Sequence, residues 1–246
     1  MKKLLVLSVL LCAGFVMAEG ANLWKCDFEE GEGFTEGKVA GQNGWDKLAW
    51  WANDEVSVVK DSTQAFSGEQ FIESNPSGVN VQNNTIDISG DYQDGMKLMM
   101  SAYGQANFVD GGQDMSVRFH CLGTSGKTYD VEIAEFNFKQ NGTINAWVTG
   151  CSFSTTAAQG EWVKFGVVID PADKKVEKVF IGDTVREDEG MTYKSATTEG
   201  CGNLPDGFRI YNGSGKIDDI SIDVVPEPAF LGLLALAGLF FVRKQR

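Results

Sequence analysis

Between residues 19 and 225 the chain alternates apolar and polar positions in short runs, the period of two that a strand with one buried face requires. Such runs fall at 23–29, 56–60, 70–73, 96–103, 115–122, 129–138, 145–153, 162–169, 176–181, 208–211 and 217–224. Clusters of Gly, Asn, Asp and Ser separate them, among them Gly111-Gly112, Asn141-Gly142 and Asn212-Gly213-Ser214-Gly215. Asn141-Gly142 between two aromatic runs predicts a type I′ hairpin. No helical period of 3.6 appears except at the two ends. The pattern predicts an all-β domain, a two-sheet antiparallel sandwich or jelly roll. Parity assigns faces within each run. Trp24, Cys26 and Phe28 share one face of the first. Val117, Phe119 and Cys121 share another, opposite Arg118 and His120. Trp147, Cys151 and Phe153 fall together if 145–153 is one strand. Trp45, after Gly44, reads as a core aromatic.

The two ends break this pattern. Lys2 and Lys3 precede an apolar run, Leu4 to Val16, and Val16-Met17-Ala18 supplies the small residues of a signal-peptidase site, so residues 1–18 read as a signal peptide with a helical apolar region. At the other end Pro226-Glu227-Pro228 is followed by 14 uncharged residues, Ala229 to Val242, and then by Arg243-Lys244-Gln245-Arg246. That run is a short candidate transmembrane helix, and its basic end belongs on the cytoplasmic side. The ordered set of triplet, apolar helix and basic terminus resembles the sorting signal of PEP-CTERM proteins, the substrates of exosortase. The resemblance implies export and anchoring in the inner membrane, then processing and delivery to the cell surface or an extracellular polymer matrix. Pro226, Glu227, Pro228, Arg243, Lys244 and Arg246 would be read by the sorting machinery. Residues 226–246 are then the signal, and 19–225 a single domain.

Charge and cysteines narrow the partners. The whole chain has 21 basic and 34 acidic residues, net −13. Five of the basic residues and one acid lie in the two ends, which leaves 16 basic and 33 acidic in 19–225, net −17. That charge repels polyanions and excludes nucleic acid as a partner. Four cysteines remain after cleavage: Cys26, Cys121, Cys151 and Cys201. An even number in an oxidising compartment predicts disulfides, with three possible connectivities. Cys121–Cys151 and Cys26–Cys201 is the pairing expected here. The spacing fits no zinc site.

Short motifs spread over the domain carry a second resemblance. Asp27-Phe28-Glu29 opens it, followed by Gly41-Gln42-Asn43-Gly44-Trp45. Trp162-Val163-Lys164-Phe165-Gly166-Val167 and Ile217-Asp218-Asp219-Ile220 come near its end. In this order they are similar to the concanavalin A-like, laminin-G-type jelly rolls. The galactose-binding-like jelly roll of carbohydrate-binding modules is the alternative. First and last strands often pair in such folds, which would bring Asp27 and Glu29 to Asp218 and Asp219. Calcium takes six to eight oxygen ligands, and the likeness to carbohydrate-binding modules points to a structural calcium there.

Two further constellations bear on function. Asp130-Val131-Glu132-Ile133-Ala134-Glu135 resembles the Glu-x-Asp-x-x-Glu strand of laminarinase-type glycoside hydrolases, with the first two residue types reversed. A retaining mechanism sets its carboxyls about 5–5.5 Å apart. Shortening the nucleophile at Asp130 argues against catalysis, and Glu135 shares the face of Glu132 only if a bulge intervenes. Trp50-Trp51 is the candidate aromatic platform for a sugar, with Tyr92, Tyr103 and Tyr193 as further options. His120, the one histidine, reads as a surface residue. The expectation is a non-catalytic surface or matrix protein, with polysaccharide as its candidate ligand and no cofactor beyond a structural calcium. Its alternatives are a glycoside hydrolase and a purely structural matrix component.

Overall fold

The computed structural model describes residues 20–47, 56–74, 80–83, 85–106, 113–121, 131–194, 204–211 and 213–225. The signal segment, Trp50, Trp51, Asp130, Cys201 and the tail from Pro226 lie outside them. Among the described residues no helix is long and apolar enough to cross a membrane.

Among the described residues sixteen strands form. They are β1 (Asn22–Cys26), β2 (Gly37–Lys38), β3 (Trp45–Lys47), β4 (Val56–Lys60), β5 (Gln70–Ser74), β6 (Asn80–Asn83), β7 (Lys97–Ala106) and β8 (Met115–Cys121), then β9 (Val131–Phe138), β10 (Thr143–Val148), β11 (Cys151–Thr156), β12 (Val163–Asp170), β13 (Lys175–Ile181), β14 (Thr184–Arg186), β15 (Gly207–Tyr211) and β16 (Gly215–Val225). Nine lie in one sheet, ordered β14-β13-β12-β7-β16-β5-β4-β2 with β1 also on β16, and seven in the other, ordered β11-β10-β9-β8-β15-β6-β3. The ladders are antiparallel, and the architecture is the all-β two-sheet sandwich that the period of two predicts, consistent with a jelly roll. First and last strands do pair: β1 runs along Ile220–Asp223 of β16, while β5 takes Gly215–Ile217 on the same side.

The core lies between the sheets. Phe165 of the nine-stranded sheet meets Phe136 and Phe138 of the seven-stranded sheet at ring-centroid distances of 4.8 and 5.2 Å. Phe28, Trp45 and Phe208 continue the stack at 5.7 and 6.0 Å, so Trp45 is the core residue expected. Gly104 of β7 makes room for it: a Cβ there would stand 2.5 Å from Phe138 Cζ and 3.0 Å from Phe165 Cε1.

Three sequence expectations fail for identifiable reasons. The run 145–153 is two strands, not one: Thr149-Gly150 turns the chain and pairs Val148 with Cys151. Parity resets at that turn, so Cys151 and Phe153 pack against the core edge while Trp147 points outward and is 50% exposed. The turn at Asn141-Gly142 is not type I′. Only Gly142 has positive φ, 81°, and Gly142 N–H bonds Lys139 O while Lys139 N–H bonds Thr143 O, the pattern of a type I turn closed by a glycine bulge. The predicted disulfide does not form. Among the described residues Cys26, Cys121 and Cys151 form no disulfide with one another, and β8 and β11 are three strand spacings apart, about 14 Å, beyond the reach of an S–S bond.

Candidate functional site

The outward face of the seven-stranded sheet carries a row of polar side chains in cross-strand register. Asp46 pairs with Gln82, Gln82 with Arg209, Arg209 with Arg118, Arg118 with Glu135, Glu135 with Trp147 and Trp147 with Ser152. The row crosses all seven strands, a span of about 29 Å. A second row beside it runs Tyr211, Ser116, Asn137, Asn145, Ser154. Inward neighbours such as Val117, Phe119, Phe136, Ala146 and Ile210 belong to the core, so alternation alone places the polar rows outside.

At the centre of the first row a β-bulge re-aims one strand. Phe119 pairs with Ala134 but His120 pairs with Glu132, which leaves Ile133 as the extra residue. Glu132 and Glu135 therefore share the outward face despite their odd spacing. Both carboxylates bond the same two cations. Arg118 donates to Glu132, and its Nη2 lies 3.2 Å from Glu135 Oε1. Lys194 lies 2.8 Å from Glu132 Oε2 and also pairs with Glu135. Ser116 Oγ donates to Glu135 at 2.8 Å and Asn137 Nδ2 at 3.3 Å. Two cations oppose two carboxylates, and Glu135 sits on the floor of the row at 6% exposure.

Aromatic faces flank this cluster. The Arg118 guanidinium lies 4.2 Å above the Tyr211 ring, and Lys194 Nζ lies 5.7 Å from that of Trp147. Arg209 donates to Gln82 Oε1 at 2.7 Å and to the Tyr211 hydroxyl at 3.1 Å. Alternating donors and acceptors beside ring faces suit a ligand rich in hydroxyls and C–H surface.

His120 departs from its expected place. It is fully buried, lies flat on Gly207 and has no hydrogen-bond partner at either ring nitrogen. Burial, reinforced by Arg209 and Arg118, holds its pKa well below the ordinary imidazole value. A bulky neighbour is excluded, because a Cβ at position 207 would meet Cε1 of the ring at 2.5 Å.

A second cluster gathers where β1 meets β16. The register of β16 slips between Asp218 and Ser221, with Asp219 at φ 47° and Phe28 at φ 60°. Asp218 turns inward to 0% exposure. Its Oδ2 accepts from Phe66 N–H at 3.0 Å and Ser67 N–H at 3.2 Å, and its Oδ1 from Asp219 N–H. Burial pushes its carboxyl up to about 7, Asp219 adds repulsion, and the three amides pull the other way. Lys25 Nζ stands between Asp27 Oδ2 at 3.0 Å and Asp219 Oδ1 at 3.4 Å. Burial and the neighbouring Asp27 raise Glu32 to about 7. Asp27 is held below the usual carboxylate range, since bonds to Lys25 and Glu32 outweigh its burial. Glu29 is turned away, accepting from Glu69 and Gln70 N–H at 2.7 and 2.9 Å.

Asp27 and Asp219 thus converge as expected, while Asp218 and Glu29 spend oxygens on backbone amides. Among the described residues no group of three or more His, Cys, Asp or Glu is arranged to hold a metal ion. Of the other aromatic options, Tyr193 is fully buried in the core, Tyr92 packs on its margin, and Tyr103 stacks under Phe66 at 3.4 Å on the nine-stranded sheet.

No family model matches the chain, and no curated protein matches its sequence. Among solved structures it is similar to the CBM22-1 xylan-binding domain of Paenibacillus barcinonensis Xyn10C, at 13% identity and TM-score 0.39, over 85% of this chain and 97% of that one. A carbohydrate esterase of the Shiga toxin-encoding bacteriophage phi24B aligns at 13% identity and TM-score 0.49, over 84% of this chain and all of that one. Trypanosoma rangeli sialidase aligns at 10% identity and TM-score 0.41, over 73% of this chain but only 30% of the enzyme.

Proposed function

We propose that the chain is an exported, non-catalytic β-sandwich of the concanavalin A-like kind that binds polysaccharide on the outward face of its seven-stranded sheet. The observation that carries this reading is the register row through Arg209, Arg118, Glu135 and Trp147, a polar floor with an exposed indole at its margin. A neutral glycan meets alternating donors and acceptors along the floor and stacks a C–H face on Trp147. Delivery to the surface by exosortase, through Pro226, Glu227, Pro228 and the basic end, belongs to the same proposal. Pull-down on insoluble neutral and acidic polysaccharides tests the binding. Trp147→Ala should weaken retention by roughly tenfold, the worth of one ring stack of about 1.4 kcal/mol. Retention on no glycan tested would instead favour a purely structural matrix protein.

One observation favours a glycoside hydrolase: the bulge that sets Glu132 and Glu135 on one face, as the motif resemblance requires. The shared ion pairs speak against it, because both carboxylates are already engaged by Arg118 and Lys194. Reducing-sugar release that Glu135→Gln abolishes would reverse this ranking.

Calcium at the acidic end has its own support. Asp27 Oδ1 and Asp219 Oδ1 are buried without a hydrogen-bond partner, although Lys25 lies within ion-pair distance of Asp219. Asp27 and Asp219 would then supply two of the six to eight oxygens that calcium takes, tying the first strand to the last. A melting temperature several degrees higher in calcium than in chelator is the expected result; identical melting in both would remove calcium from the proposal.

A further inference from the structure

Edge strands present unpaired backbone N–H and C=O groups, and folded proteins blunt them with short length, charge or irregular register. Four edges of this sandwich are blunted. β14 has three residues and Arg186, β2 two residues and Lys38, and β3 three residues with Asp46 and Lys47. β1 carries Lys25 and a register shift between Asn22 and Trp24. β11 has none of these devices. Its six residues, Cys-Ser-Phe-Ser-Thr-Thr, hold no charge and no proline, and they pair with β10 without a break from Thr143↔Thr156 to Val148↔Cys151.

Among the described residues only β10 pairs with β11, and Ser152, Ser154 and Thr156 are exposed. Phe153 and Cys151 are half-buried against the margin of the core, with the Arg186 guanidinium 5.9 Å from the Phe153 ring.

We propose that β11 is the surface through which two copies of this chain associate, strand to strand and antiparallel about a twofold axis. The two seven-stranded sheets then become one of fourteen. Self-complementarity selects a second copy as the occupant. Residues 19–225 carry net −17, so most surfaces of two copies repel, whereas β11 itself carries no charge and the acid at its start, Asp188 beside Cys151, has Arg186 close by. An antiparallel pair of identical strands is self-complementary, and on the outward face it sets Ser and Thr against Ser and Thr, favourable cross-strand neighbours. The polar row also ends on β11 at Ser152, so pairing joins each row to its copy in one continuous face.

A six-residue strand pair is a small interface, so the dimer should form at roughly 10–100 µM. Sedimentation velocity of the full-length chain in mild detergent tests this against Ser152→Lys/Ser154→Lys, which sets lysines against their own copies. The wild type should dimerise with concentration, and the variant should remain monomeric with unchanged circular dichroism. Amide exchange of residues 151–156 in the wild type gives a reading that needs no variant: protection should rise with protein concentration. A monomeric wild type, equal association in the variant, or exchange independent of concentration would each overturn the proposal.

Discussion

Two bulges in this molecule handle carboxylates in opposite ways. In β9 the extra residue Ile133 turns Glu132 outward beside Glu135, and Arg118 and Lys194 match them charge for charge. In β16 the slip at Asp218 turns a carboxyl inward, and around it Asp27, Glu32 and Asp219 share the cation Lys25. A bulge re-aims a side chain; the partners it finds decide the rest. At the first site the charges are balanced and the carboxylates stay on the outward face. At the second, backbone amides do the work of cations, and two carboxyls rise to about 7.

Substitutions should separate the two sites. Asp218→Ala strips the partner from three amides, those of Phe66, Ser67 and Asp219. It should cost about 3 kcal/mol in a urea titration, the penalty for buried donors left unpaired. A cost below about 1 kcal/mol would mean that water replaces the carboxylate. Arg118→Ala removes one of two cations from buried Glu135 and partly buried Glu132 and should cost about 1–2 kcal/mol, less than at the second site because Lys194 still pairs with both. The reverse order would invert the comparison.

Acid should distinguish them in sign. Glu32 and Asp218 bind a proton more tightly folded than unfolded, since their folded values of about 7 exceed the ordinary carboxylate range. Their contribution to stability is absent above about 7 and grows as pH falls toward about 4, the unfolded value. His120 acts oppositely. Its depressed folded pKa means that stability is lost as pH falls below about 6.5, where the unfolded imidazole takes up a proton. Urea midpoints between pH 8 and 4 should rise on acidification in the wild type. In Glu32→Gln/Asp218→Asn that gain should vanish and leave the loss from His120. An unchanged profile in the variant would refute the assignment. The smallest effect belongs to Trp147→Ala, which should shift stability by less than about 0.5 kcal/mol, as expected for a side chain half in solvent.

Much of this architecture is readable from alternation. Val56–Lys60 is found to the residue, and most other runs to within one or two. β2, β3, β6 and β14 escape notice, being two to four residues long and too short to show a period. The site is less legible. Convergence of Glu132 with Glu135 depends on one unpaired residue, and convergence of Arg118 with Arg209 on a pairing between strands about ninety residues apart. Trp147 is misplaced because Thr149-Gly150 resets parity inside an apparently continuous run. His120 has the parity of an exposed residue, yet it is buried against Gly207, a contact that no local pattern encodes.

Cys26, Cys121 and Cys151 turn the molecule into a set of clocks. A thiol-exchange reagent in solution meets Cys151, half-buried on an edge strand, without waiting for the fold to open. Cys26 and Cys121 lie inside the sandwich, at 4% and 0% exposure, so they can be labelled only as fast as the surrounding structure comes apart. One thiol sits beside the seam between first and last strands, the other at the end of β8. The lag between their labelling times orders the steps of disassembly without any engineered label site.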